Sequence, residues 1–206
     1  MGMMRKLKIT EMGRMNAEEF KASDKMPLVV VLDDVRSMYN VGSVFRTADA
    51  FRVESICLCG ITACPPHQEI HKTALGAEDT VAWQHFSNAL DAVHSLKMAG
   101  YTIFSIEQCE GSTQLQDLQH KMANIAPPPS SSSSISQGMS SLPKVAIVLG
   151  NEVKGVNQDV VNASDYCLEI PQFGTKHSLN VSTAAGMVIW EFAKLFLPVI
   201  QTNSHT

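Results

Sequence analysis

The amino-acid sequence predicts an α/β protein, a mostly parallel sheet with helices on both faces. Two observations carry that reading. Aliphatic runs such as "LVVVL" (28–32) and "VAIVL" (145–149) have no polar alternation, as in strands covered on both sides. Between such runs lie stretches with apolar residues at helical spacing, and regular alternation of the two implies parallel strands joined by helical crossovers.

Taken in order, "NAEEFKAS" (16–23) starts like a capped helix at Asn16 and belongs to a polar helical extension over 1–26. The main domain, 27–206, opens with "PLVVVLDDV", a buried strand. "NVGSVFRTADAF" (40–51) follows as a helix with Val44, Ala48 and Phe51 on one side, then "ESICLCG" (54–60) as a strand. "NALDAVHSLKMAG" (88–100) is a helix stopped by Gly100, and "YTIFSIE" (101–107) the next strand. Composition then shifts to "APPPSSSSSISQGMSSLP" (126–143), a Pro- and Ser-rich flexible insertion with almost nothing to bury. The strand "KVAIVLG" (144–150), a short helix "NQDVVNASD" (157–165), the strand "YCLEIPQ" (166–172), the loop "FGTKHSLN" (173–180) and a long helix from about Val181 complete the chain.

Composition narrows the functional classes. Of 206 residues, 45% are hydrophobic and 17% charged, which supplies a core and excludes a disordered chain. The most apolar stretch, 184–200, contains Glu191 and Lys194 and reads as a core helix, so no membrane partner is expected. The first twenty residues show no apolar signal region, and the expected compartment is the cytoplasm. Five cysteines without a CxxC pair read as reduced thiols, with Cys57 and Cys59 on one strand face. "CPPHQEIH" offers Cys64, His67 and His71 as a metal set, but Glu69 stands where it would not serve an HExxH-type site. The Pro-Pro turn suits an ordinary loop, so no metal is expected. A net charge of −4 weighs against a strongly basic nucleic-acid surface, although a local patch can hide in the total.

Three unusual turns fall where a strand's carboxyl end meets a helix, the edge at which open α/β sheets bind ligands: 40–46, 150–155 and 172–180. The chain has neither the GK[ST] of a P-loop nor GxGxxG after a strand, which leaves ATP and NAD chemistry without support. Gly150 and Gly155 allow close backbone approach, while Ile170, Pro171 and Leu179 offer apolar walls. Singly, Asn40 and Asn180 suit helix caps, Glu152 a surface acid and Arg46 a solvated helix position.

Together the turns resemble the SpoU-type, TrmH-like branch of the SPOUT RNA ribose 2′-O-methyltransferases. "NVGSVFR" matches the first motif through Asn40, Gly42 and Arg46. "VLGNEVKGV" matches the second through Asn151 and Glu152, and "IPQFGTKHSLNVSTAAG" (170–186) matches the third. The resemblance implies a Rossmann-like sheet closed by a C-terminal deep trefoil knot that holds S-adenosyl-L-methionine. It implies cofactor contacts from Leu149, Gly150, Asn151, Gly155, Ile170, Pro171 and Leu179, and catalytic roles for Arg46, Asn40, Glu152, Ser178 and Asn180. It further implies tRNA or rRNA as partner, met by Arg46, His71 and Lys72, and a homodimer through the knot region. A non-catalytic knotted RNA-binding relative and a base-modifying SPOUT enzyme are the competing readings.

Overall fold

The computed structural model describes residues 4–125 and 142–202, so the expected insertion lies outside the described residues except for Leu142 and Pro143. Seven strands form one sheet: β1 (Met26–Asp33), β2 (Val53–Cys59), β3 (Ala82–Phe86), β4 (Thr102–Ile106), β5 (Thr113–Gln114), β6 (Val145–Leu149) and β7 (Tyr166–Glu169). Their order across the sheet is β3-β2-β1-β6-β4-β7-β5, and every neighbouring pair is parallel. The helices are α1 (Ala17–Ala22), α2 (Met38–Ala50), α3 (Gln68–Ala74), α4 (Ala89–Met98), α5 (Leu118–Ile125), α6 (Gln158–Ala163) and α7 (Val181–Thr202).

The aliphatic runs are explained by their position. β1 lies between β2 and β6 and is buried at every residue, because helices cover both faces. Leu28, Val30 and Leu32 join Ile147 in a core with Phe45 of α2, Ile70 of α3, Leu118 of α5 and Phe192 of α7. Val29 and Val31 point the other way, with Val148, into a second core covered by Ala92 and Val93 of α4 and Val160 of α6. Cys57 and Cys59 share that second face, as their spacing predicts, and burial pushes the Cys57 thiol up to about 12. Each fully buried aliphatic side chain contributes roughly 1.5–3 kcal/mol, and β6, the middle strand, is buried along its whole length as β1 is.

Two strands are not visible in the sequence pattern. β3, "AWQHF", is an edge strand with four exposed positions, so no apolar run marks it. β5 is only two residues long and pairs with the far edge of β7. The extension does carry a helix. Asn16 Oδ1 accepts from the Glu19 N–H at 2.9 Å and Glu19 Oε2 from the Asn16 N–H at 2.8 Å, a reciprocal cap. The buried residue of α1 is Phe20, whose ring lies under the Lys25 ammonium at 4.4 Å.

Gly42 has a packing cause. α2 crosses α3 so closely that a Cβ at 42 would stand 2.2 Å from both the Ile70 carbonyl oxygen and Thr73 Oγ1. Gly42, inside α2, therefore sets the distance between α2 and α3.

Candidate functional site

The turn after β6 closes on itself. Asn151 N–H donates to the Gly155 carbonyl at 3.0 Å and Gly155 N–H returns to the Asn151 carbonyl at 2.9 Å. A Cβ on Gly150 would lie 2.1 Å from the Gly155 carbonyl carbon and the Val156 nitrogen, and Gly155 has φ +70°, so both positions require glycine. Asn151 Oδ1 accepts from the Val153 N–H at 2.9 Å and the Lys154 N–H at 3.2 Å. Its Nδ2 donates to the Asp34 carbonyl at 2.8 Å, which ties the turn to the end of β1. Two acids fasten the exit: Glu107 Oε2 accepts from Val156 N–H at 3.0 Å and Asp33 Oδ2 from Asn157 N–H at 2.9 Å. Burial pushes the Asp33 carboxyl up, and the Asn157 N–H opposes part of that rise.

Residues 40–46, expected as a strand-to-helix turn, lie within α2; its first turn meets the 150–155 turn at one carboxylate, and the third turn joins through Asn40. Glu152 Oε1 accepts from the Ser37 N–H and from Asn40 Nδ2, both at 3.0 Å, while Oε2 accepts from the Arg36 N–H at 3.0 Å. Asn40 Oδ1 in turn accepts from Asn180 Nδ2 at 3.1 Å. Asn180 also caps α7, its Oδ1 accepting from the N–H of Ser182 at 2.9 Å and of Thr183 at 3.3 Å. Asn180 therefore caps α7 and at the same time bonds Asn40. Partial burial would raise the Glu152 carboxyl, but the donors from Arg36, its own backbone, Ser37 and Asn40 together hold it below the usual carboxylate range. At neutral pH the clasp is anionic.

Beside the clasp lies a cavity of about 850 Å³, within the span of small-molecule sites. Leu149, Gly150, Asn151, Gly155, Ile170 and Leu179 line it, as do Glu152 and Ser178. Pro171, Asn40, Asn180 and Arg46 stand outside its lining, and Arg46 is exposed on the third turn of α2. His71 and Lys72 lie on α3, also outside it. His71 is engaged elsewhere: its Nδ1 lies 2.5 Å from Glu78 Oε1, whose side chain is 7% exposed. Lys72 is exposed. Sequence reading passed over the wall from β4 and its loop, Glu107 and Gln108. Gln108 Nε2 donates to the His177 carbonyl at 3.1 Å and braces the third turn. The signal was present in "YTIFSIEQ", a strand ending at the same sheet edge in an acid and an amide.

A glycine turn at the carboxyl end of β6, with a polar clasp and a cavity beside it, defines an α/β protein with a pocket of small-molecule size at its sheet edge. The chain belongs to the SpoU rRNA methylase family, whose model matches residues 27–190. The 23S rRNA (guanosine-2′-O-)-methyltransferase RlmB of Neisseria meningitidis serogroup B is 31% identical over 165 residues, 80% of this chain and 57% of that protein. The chain spans about 60% of the length of several such relatives. A crystal structure of a TrmH/SpoU tRNA modifying enzyme from A. aeolicus has a TM-score of 0.69 at 20% identity, covering 88% of this chain and 81% of that one. An AdoMet-bound rRNA methyltransferase from Sinorhizobium meliloti has a TM-score of 0.66 at 23% identity, covering 85% and 60%. The resemblance read from the three turns and the α/β fold are thus both established.

Proposed function

We propose that the chain is an S-adenosyl-L-methionine-dependent RNA methyltransferase that methylates a ribose 2′-hydroxyl of tRNA or rRNA. The observation that carries this reading is the Glu152–Asn40–Asn180 clasp, which joins all three family motifs beside a cavity that Glu152 lines. The residues present fit the cofactor. The Gly150–Gly155 turn brings backbone polar groups to the cavity surface, Leu149, Ile170 and Leu179 supply apolar wall for an adenine, and the volume suits a molecule of that size. Pro171 acts at one remove, shaping the 170s loop. The relatives support the substrate: one is named a guanosine-2′-O-methyltransferase, and one neighbouring structure holds AdoMet.

The cofactor, when bound, supplies a methyl group on a sulfonium sulfur. A ribose oxygen receiving that methyl would have to give up its proton, and the residues of this chain would assist by position and charge. Arg46 carries a guanidinium cation with no acceptor atom, so it serves by gripping an adjacent phosphate and stabilising alkoxide character. Asn40 has its amide nitrogen and its oxygen committed to Glu152 and Asn180, which makes it a positioning residue for α2 and hence for Arg46. Glu152 acts in the same way, through Asn40 and the first N–H groups of α2. Ser178 is exposed on the cavity lining, where its hydroxyl meets the reacting groups. Lys72 is a phosphate contact, and His71 contributes only when released from Glu78.

The same reading carries the rest of the architecture. The extension 1–26 precedes a methyltransferase domain 27–206, and a trefoil knot forms where the 170s loop crosses the turns after β4 and β6. The bond from Gln108 to His177 supports the crossing at the turn after β4. Exposed Met187, Trp190 and Phe173 near the knot support a homodimer. The chain acts in the cytoplasm; among the described residues no helix is long and apolar enough to cross a membrane. The test is transfer of labelled methyl from the cofactor to tRNA and rRNA transcripts. Label in either RNA supports the enzyme, and cofactor binding without label in any cellular RNA would establish the non-catalytic alternative.

A further inference from the structure

The loop 171–179 supplies one wall of the cavity, through Gln172, His177, Ser178 and Leu179, yet it is weakly held. Its ends are pinned, since Ile170 packs against the first core and Val181 is buried in it. Between them every residue from Phe173 to Asn180 is exposed. Among the described residues the stretch 171–179 makes a single hydrogen bond, the one from Gln108 Nε2 to the His177 carbonyl at 3.1 Å. That bond starts from a fixed base. Glu107 Oε1 accepts from the Gln108 N–H at 2.9 Å while its Oε2 accepts from the Val156 N–H at 3.0 Å. Three bonds in series thus run from the end of the Gly150–Gly155 turn, through the two residues that follow β4, to the 171–179 loop.

We infer that Gln108 is a positioning residue, a latch whose bond to the His177 carbonyl holds the 171–179 loop in the arrangement that receives the cofactor. A neutral hydrogen bond of this kind shifts an equilibrium by about two- to tenfold. In a well-packed segment such a shift would be lost among other contacts. Here it falls on a loop with no second hydrogen bond and little burial, so the latched and released states lie close in free energy.

The effect on ligand binding is bounded by the same shift. Apparent affinity scales with the fraction of the chain in the competent state, so loss of the latch weakens binding by no more than the factor by which it releases the loop. By linkage, a ligand that binds the latched loop protects it from release. The part played by the cofactor rests on the function proposed above, whereas the latch itself does not.

The peptide bond between Lys176 and His177 is a trypsin site at the latch itself. The folded full chain is digested briefly with trypsin, and mass spectrometry follows the new terminus at His177. In Gln108→Met a methyl group replaces the donor nitrogen at the same reach, and this cut should come about two- to tenfold faster. Gln108→His restores an N–H at the same number of bonds from Cβ and should return the rate to that of the parent chain. Equal rates in the parent and Gln108→Met overturn the latch, as does a fast cut that Gln108→His fails to slow. Affinity for S-adenosyl-L-methionine, measured by calorimetry, should be at least about twofold weaker in Gln108→Met, by no more than the cleavage ratio, and restored in Gln108→His. Faster cleavage with unchanged affinity refutes the positioning role. Faster cleavage in Gln108→Met when the parent chain binds no S-adenosyl-L-methionine upholds the latch and refutes the proposed cofactor instead.

Discussion

Replacing Glu152 by Gln tests whether its negative charge holds the turns together. The carboxylate accepts three hydrogen bonds, from Arg36, Ser37 and Asn40. A hydrogen bond to a charged acceptor contributes about 1.5–3 kcal/mol and a neutral one about 0.5–1.5. Gln keeps an oxygen for Ser37 and Asn40 but sets an NH₂ against the Arg36 N–H, so two bonds weaken and one is lost. In a dry site the sum would be about 3–5 kcal/mol, but Glu152 is exposed and water re-solvates the freed donors, which leaves about 1–2 kcal/mol. For a chain of this size the melting temperature should fall by about 2–8 °C at pH 7. The pH dependence has a definite sign. The folded carboxyl lies below its ordinary value of 4.5, so its stabilisation is fully present above 4.5 and is lost as pH falls through the folded value. Thermal unfolding of both proteins from pH 7 to pH 4 should therefore show a gap that narrows below about pH 4.5. Equal melting temperatures at pH 7, or a gap that does not change with pH, would refute an anionic clasp.

Arg46→Ala should leave cofactor affinity within about twofold and lower methyl transfer by about 10²–10³, the usual loss of one charge-stabilising donor. Calorimetry beside a transfer assay decides it, and loss of binding along with rate would make Arg46 structural. Leu179→Asp puts an unpaired charge in the cavity wall and should weaken cofactor binding at least about tenfold, read by the same calorimetry. Gly42→Ala should lower the melting temperature, although alanine is the better helix former. The added methyl meets a backbone carbonyl of α3 at 2.2 Å, and such overpacking costs about 1–3 kcal/mol.

What was legible in the sequence follows from range. Buried strands and capped helices announce themselves within ten residues, so β1, β6, α4 and the Asn16 cap could be placed by pattern alone. The three turns were legible as a set because each combines residues that a plain loop seldom needs. What joins them was not: Glu152 bonds residues more than a hundred positions away, and no periodicity encodes that. The same limit hid the reason for Gly42, which is the carbonyl of Ile70 on another helix. His71 was read as a phosphate contact because a base on an exposed connection looks available; its partner Glu78, one short turn later, occupies it in the structure. β3 escaped because an exposed edge strand lacks the apolar run that marks the others.

The position of the transferred methyl decides among the readings most directly. RNA labelled from the methyl group of the cofactor is hydrolysed in alkali, which cleaves through the 2′-oxygen and therefore cannot cleave where that oxygen carries a methyl. Ribose methylation by the Arg46 site predicts label in alkali-resistant dinucleotides, lost from them in Arg46→Ala. Label in mononucleotides would contradict it, because the methyl would then be on a base.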